Sequence, residues 1–218
     1  MFFFLHIAAD CGLLFLIYYF FTQGFNLEKE LRRDRIREIA AKVFAKNGFE
    51  RTTIRGIAQE GQISAASIYY YFDSKEDLLY QILEDTMTTG LKLIRGIEKS
   101  DSNLKEQLIE ILHVHTLNAI NFDKMKLLVH EQNCLEPIHK EALKTKQKEY
   151  LAELTMVFEA LKNSGQMHDF NPKVCAFAFF GMVSWAYRWF NPSGDLSTQE
   201  LAQTFARIFT QGIFLDSE

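Results

Sequence analysis

Only three prolines and eleven glycines punctuate a chain of 218 residues, and this scarcity constrains the fold more than any other feature. Sandwiches and barrels of short strands need frequent turns, and turns draw on those two residues, so long unpunctuated segments favour helices. The apolar spacing agrees. Leu31, Ile36, Ile39, Ala40, Val43 and Phe44 recur at helical intervals up to Asn47-Gly48, a left-handed stop. An all-α protein is expected. With 48% hydrophobic and 24% charged residues, the chain can bury a core and is not a disordered tail.

The other elements are read from their ends. Thr53 caps a short second helix carrying Ile54, Ile57 and Ala58; Gly61 is expected to break it, and Ser64 to cap a third from Ala65 to about Tyr71. Ser74-Lys75-Glu76-Asp77 is a capping box opening a long helix past Leu93 and Ile97, long enough to join two domains. Further helices are predicted from about Leu104 to Asn118, Asp123 to Gln132, Pro137 to Lys162 and Pro172 to Phe190. A second capping box, Ser197-Thr198-Gln199-Glu200, opens a last helix to about Phe214, and no strand pattern or internal repeat emerges. Charge divides the chain. Glu28 to Lys75 holds ten basic and seven acidic residues, whereas Glu76 to Glu218 holds fourteen and twenty, so a small basic domain precedes a large acidic one.

Residues 1–26 have a different composition: seven of the twenty phenylalanines fall there, and Asp10 is the one residue of charged type. No Lys or Arg precedes Lys29 and no small-residue cleavage site follows, which argues against a secretory signal. Two readings stay open. Upstream DNA translated ahead of a true start at Leu27 is favoured. The alternative is a membrane anchor, with Lys29, Arg32, Arg33, Arg35 and Arg37 holding the next domain in the cytoplasm. Cys11, Cys134 and Cys175 are too few and too scattered for a disulfide framework or a zinc knuckle, and a reducing cytoplasm is expected.

Thr53 to Phe72 has the parts of a helix-turn-helix: a first helix to cross a DNA backbone, a tight turn, and a second helix slim enough for a major groove. Ala65, Ala66 and Ser67 are small, so backbone can approach base edges; alanine methyls suit thymine methyls and the hydroxyls of Ser64 and Ser67 can hydrogen-bond. Tyr69, Tyr70 and Tyr71 cannot all face inward, because each helical step turns about 100°.

Phe44-Ala45-Lys46-Asn47-Gly48-Phe49, Thr52-Thr53-Ile54-Arg55-Gly56-Ile57-Ala58, Gly61-Gln62-Ile63-Ser64, Ile68-Tyr69-Tyr70-Tyr71-Phe72 and Ser74-Lys75-Glu76-Asp77-Leu78 follow one another in the chain. In these motifs residues 31 to 83 resemble the DNA-binding domain of the TetR family of bacterial transcriptional repressors. The resemblance implies that Thr53, Ser64, Tyr69, Tyr70, Tyr71 and Lys75 face DNA phosphates. It places Arg55, Ala66, Ser67 and Tyr69 near bases. Where many members have Lys-Gly, this chain has Ala65-Ala66, which removes one positive charge from the recognition helix and shifts affinity onto Arg55, Lys75 and the first helix. The implied organisation is a DNA-binding domain over residues 27–78 and a ligand-binding and dimerisation domain over 79–218.

The large domain supports this independently. Val174 to Phe190 carries one formal charge, Arg188, and is apolar on every face, which predicts burial on two sides. Leu201, Phe205, Ile208 and Phe209 mark the last helix similarly, and together they suggest a four-helix interface in a homodimer on double-stranded operator DNA. The run from Phe180 to Ser197 is similar to a C-terminal signature of TetR regulators of fatty-acid, steroid or aromatic-acid breakdown, which typically sense acyl-CoA thioesters. Phe158, Phe177, Trp185 and Trp189 would then line an acyl tunnel. Arg188, or the cluster Lys140, Lys144, Lys146 and Lys148, would meet coenzyme A phosphates. Taken singly, Arg188 is read first as a charge serving a helix C-terminus, and the lysines as a solvated face. A drug or other aromatic effector is the alternative within the family.

His113, His115, His130 and His139 lack metal-ligand spacing; His113 and His115 are two apart and so on different helix faces. No cofactor or metal is expected. The chain has no GxSxG, GxGxxG, phosphate-loop or HExxH motif, and a regulator is expected in preference to an enzyme.

Overall fold

The structure, a computed structural model, describes residues 27–98, 103–119 and 122–213. The apolar leader 1–26 and the expected helix end at Phe214 lie outside the described residues. Helix α1 covers 27–47, and Gly48 ends it at φ 82°, the left-handed conformation its sequence promised. Then follow α2 (Ile54–Gly61), α3 (Ala65–Tyr71), α4 (Lys75–Glu98), α5 (Leu104–Ala119), α6 (Phe122–His130), α7 (Pro137–Asn163), α8 (Pro172–Trp185) and α9 (Thr198–Ile213). The all-α expectation holds. No described helix is long and apolar enough to cross a membrane.

Caps set the local starts. Thr53 Oγ1 accepts from Gly56 N at 3.1 Å, Ser64 Oγ from Ser67 N at 3.0 Å, and Ser74 Oγ from Asp77 N at 2.9 Å, each satisfying an amide that a helix start leaves unpaired. Ser197 and Glu200 complete the second capping box reciprocally, at 3.2 and 2.9 Å.

Three sequence expectations are corrected. Gly61 does not break α2: it is helical and buried, and a Cβ there would lie 3.0 Å from Ile39 Cδ1, so glycine lets α2 close onto α1. The break falls at Gln62, which takes φ 53°. The helix predicted to reach Phe190 ends at Trp185 and tightens into a 3₁₀ turn, Ala186–Arg188, because Asn191-Pro192 disfavours further helix. The segment expected as helix to Gln132 ends at His130, before a second 3₁₀ turn at Gln132–Cys134.

One continuous apolar core runs through the described residues. Phe44, Ile57, Ile68, Phe72, Leu78 and Ile82 lock α1 to α3 onto the start of α4. Farther along, α4 packs on α7, α7 on α8, and α5 on α9. The helix α4 thus belongs to both halves. Helix α8 is buried on one side only, through Cys175, Ala176, Phe179 and Val183, while Val174, Phe177 and Trp185 are exposed in the single chain.

Candidate DNA-binding surface and effector cavity

Helices α2 and α3, joined by the turn at Gln62, present one exposed face. Arg55, Ala66 and Ser67 lie exposed on it, and Ser64 and Ser67 share a hydroxyl contact of 2.8 Å. Tyr69 and Tyr70 are exposed, while Tyr71 is half-buried with its ring edge-on to Tyr70 at 4.8 Å. Thr53 is exposed at the N-terminus of α2. Beside it a depression of about 180 Å³ is lined by Lys42, Lys46 and Arg51. Glu60 lines it too, so three cations face one carboxylate, a net positive charge that suits a phosphate.

Lys75 is placed differently from its expected role as a free phosphate cation. Its Nζ donates to Phe49 O at 2.9 Å and Thr52 O at 3.0 Å and lies 4.1 Å from the Phe49 ring centroid. It is an internal clasp. The cause is tertiary: α4 begins directly under the 48–52 turn, whose carbonyls outcompete solvent for the ammonium. Other cations stand closer to α3. A groove of about 710 Å³ separates α1 from α3, with Lys29, Arg35 and the Arg32–Glu28 ion pair (2.6 Å) on one wall and Ser64, Ser67 and Tyr70 on the other. Arg35 is exposed and holds no ion pair among the described residues. The basic run of α1 carried this signal in the sequence, yet its placement opposite α3 required the packing.

The large domain holds a cavity of about 460 Å³. Its apolar wall includes Met87 from α4, Met125 and Leu128 from α6, Leu151 from α7 and Phe177 and Phe180 from α8. Lys144 and Lys148, four residues apart on one face of α7, also line it, and none of the described lining residues is acidic. Of Phe158, Phe177, Trp185, Arg188 and Trp189, Phe177 alone is among the residues lining this cavity. Phe158 is fully buried against Phe209, 5.8 Å between centroids, and so belongs to the core. Trp185 and Trp189 are exposed, and Arg188 stacks on Trp185 at 4.5 Å on the outer end of α8. Of the lysine cluster, Lys146 instead pairs with Glu84 at 3.5 Å and Lys140 bonds Asn133.

Sequence reasoning missed His115 and Tyr150 as partners. The Tyr150 hydroxyl and His115 Nδ1 are hydrogen-bonded, both residues line the cavity, and His115 Nε2 is buried without a partner. Burial drives the imidazole pKa down to about 4, which keeps it neutral, and pushes the Tyr150 phenol up. Nothing in the local sequence links residues on separate helices. His130 and His139 have separate partners: His130 Nε2 meets the Tyr187 hydroxyl at 2.7 Å, and His139 bonds Glu76 at 2.9 Å while stacking on Tyr80, whereas His113 Nε2 is buried without one.

Two links tie the cavity to the DNA-binding surface. Helix α4 lines the cavity with Thr86, Met87 and Gly90 and holds the 48–52 turn between α1 and α2 through Lys75. Helix α6 lines it with Met125 and Leu128, while its Lys126 donates to Ala45 O at the end of α1.

Residues 36–82 match the family model described as bacterial regulatory proteins of the tetR family, and residues 101–213 match the tetracyclin repressor-like C-terminal domain. The chain is 27% identical over 195 residues to the HTH-type transcriptional repressor KstR2 of Rhodococcus jostii, covering 85% of this chain and 92% of that protein. Among solved structures, a TetR-family regulator from Bordetella parapertussis is 28% identical with a TM-score of 0.72, covering 83% of this chain and 94% of that one. AibR, in complex with isovaleryl coenzyme A and operator DNA, is 25% identical with a TM-score of 0.70, covering 81% and 97%. Two family models that together take in both the helix-turn-helix and the cavity-bearing helices leave one conclusion: this chain belongs to the TetR family of transcriptional regulators, DNA-binding proteins and not enzymes.

Proposed function

We propose that the chain is a cytoplasmic, ligand-responsive repressor that binds a near-palindromic operator as a homodimer and is released by an acyl-CoA thioester. Residues 27–78 act as the reader and 79–218 as the sensor and dimerisation unit. Thr53, Ser64, Tyr69, Tyr70 and Tyr71 take phosphate contacts, and Arg55, Ala66 and Ser67 approach bases. Lys75 steadies the reader from inside.

The observation that carries this reading is the cavity built against α4 and lined by Lys144 and Lys148. Its apolar wall suits an acyl chain, and its lining carries two cations and no carboxylate, with Lys144 pairing at 3.3 Å with the exposed Glu141 outside the lining, a balance that suits phosphates over a cationic drug. Support also comes from AibR, a structural neighbour bound to isovaleryl coenzyme A and operator DNA. The exposed face of Val174, Phe177, Trp185 and Ile208 on α8 and α9 supports the dimer, since a monomer would leave this apolar surface in water. Half-sites one helical turn apart, about 34–36 Å or slightly more, then fit the twofold.

Release requires that the effector prefer the arrangement misfitted to DNA; a hundredfold loss of operator affinity needs about 2.7 kcal/mol of such preference. Titrating acyl-CoAs, free fatty acids and cationic drugs against an operator complex is the test. Release by thioesters is expected, and release by drugs alone would remove the acyl-CoA reading. Light scattering is expected to find a dimer, and a stable monomer at micromolar concentration would overturn that part.

A further inference from the structure

The His115–Tyr150 pair holds more hydrogen-bond donors than it uses. A neutral imidazole has one N–H and a phenol has one O–H, so the pair owns two donors. Their mutual hydrogen bond uses one. If Tyr150 donates to Nδ1, the imidazole proton sits on Nε2, which is buried and unpartnered; if Nδ1 donates, the Tyr150 O–H is left over. Whichever way the shared proton points, one donor is unspent, and no acceptor among the described residues meets it. The surroundings offer aromatic rings instead, with Phe179 and Phe180 centred 5.2 and 5.4 Å from the imidazole. Leaving a buried donor unsatisfied costs about 1–3 kcal/mol, and this one belongs to a pair that lines the effector cavity.

We infer that the His115–Tyr150 pair is the specificity determinant of the cavity: it donates a hydrogen bond to a carbonyl oxygen carried within an otherwise apolar effector. For an acyl-CoA that oxygen is the thioester carbonyl, and only this identification rests on the function proposed above. The shared chemistry also admits an apolar ketone. Neutrality of both groups matters, because a neutral donor recognises a neutral carbonyl without the charge that would favour a free carboxylate.

Calorimetry on the full chain with two matched pairs tests this: hexanoyl-CoA against its hexyl-CoA thioether, and a long methyl ketone against the alkane of equal length. The carbonyl member of a pair is expected to bind about tenfold tighter or more, the scale of one hydrogen bond plus an unmet donor. The double variant His115→Phe/Tyr150→Phe removes both donors and is expected to bind both members of a pair equally. Apolar replacement of both partners is compatible with folding, and the wild-type comparison stands without the variant. If the ketone binds over the alkane while neither coenzyme A compound binds, the acyl-CoA reading falls and carbonyl recognition stands. Equal affinity within each pair, or no binding by any of the four, overturns the inference.

Discussion

Two glycines on α4 are expected to respond oppositely to the same substitution. A Cβ at Gly90 would lie 2.6 Å from Tyr150 Cε2, whereas at Gly96 nothing stands within 4 Å. Both lie inside a helix, where alanine is favoured over glycine by about 1 kcal/mol. Gly96→Ala should realise that gain. At Gly90 the added methyl meets the edge of a buried ring bonded to His115, and forcing such a ring aside typically costs about 1–3 kcal/mol. The net effect of Gly90→Ala therefore runs from near zero to about 2 kcal/mol of destabilisation, separating the two variants by about 1–3 kcal/mol. For a protein of this size that corresponds to roughly 2–12 °C in Tm. Thermal and urea unfolding at one fixed protein concentration reads it, because a dimer's stability depends on concentration. Equal stabilisation by both alanines would refute the reasoning, since it would mean that the Tyr150 ring does not press on α4.

Other outcomes follow from the same contacts. His115 is held near pKa 4 against an ordinary 6.5, so between those values the unfolded chain binds a proton that the folded one refuses. Stability is then lost as pH falls from 6.5 towards 4, by at most about 3 kcal/mol. His115→Phe should remove that part of the slope in urea titrations, and an unchanged slope would contradict it. Lys75→Met should lower stability by about 1–3 kcal/mol while leaving the log-salt slope of operator binding nearly unchanged, whereas Arg35→Ala should reduce that slope by about one unit. A full unit lost in the Lys75 variant would show that its ammonium leaves the carbonyls for phosphate. Tyr70→Phe should weaken operator and scrambled duplexes alike, and Ser67→Ala should change the ratio between them; electrophoretic titrations distinguish the two.

Helix starts were legible because N-capping is local: Thr53, Ser64, Ser74 and Ser197 each bond an amide three residues ahead, and such contacts need no partner helix. The exposed face of α3 was legible for a similar reason, since consecutive tyrosines cannot share one side of a helix. The destination of a side chain was not. Phe158 and Phe177 are equally apolar in sequence, yet one fills the core against α9 and the other lines the cavity. Lys75 read as a surface cation until the 48–52 turn supplied two carbonyls. Gly61 read as a breaker, but its lack of a side chain serves contact with Ile39. The cavity's polar pair joins residues 35 apart in sequence, and Tyr150 reaches its position only because Gly90, on a third helix, leaves space for the ring. Periodicity and caps report the chain's own few neighbouring residues and therefore determined the elements. Which faces meet depends on how α4, α5, α7 and α8 cross, and side-chain shape summed over all of them decided that only in the folded protein.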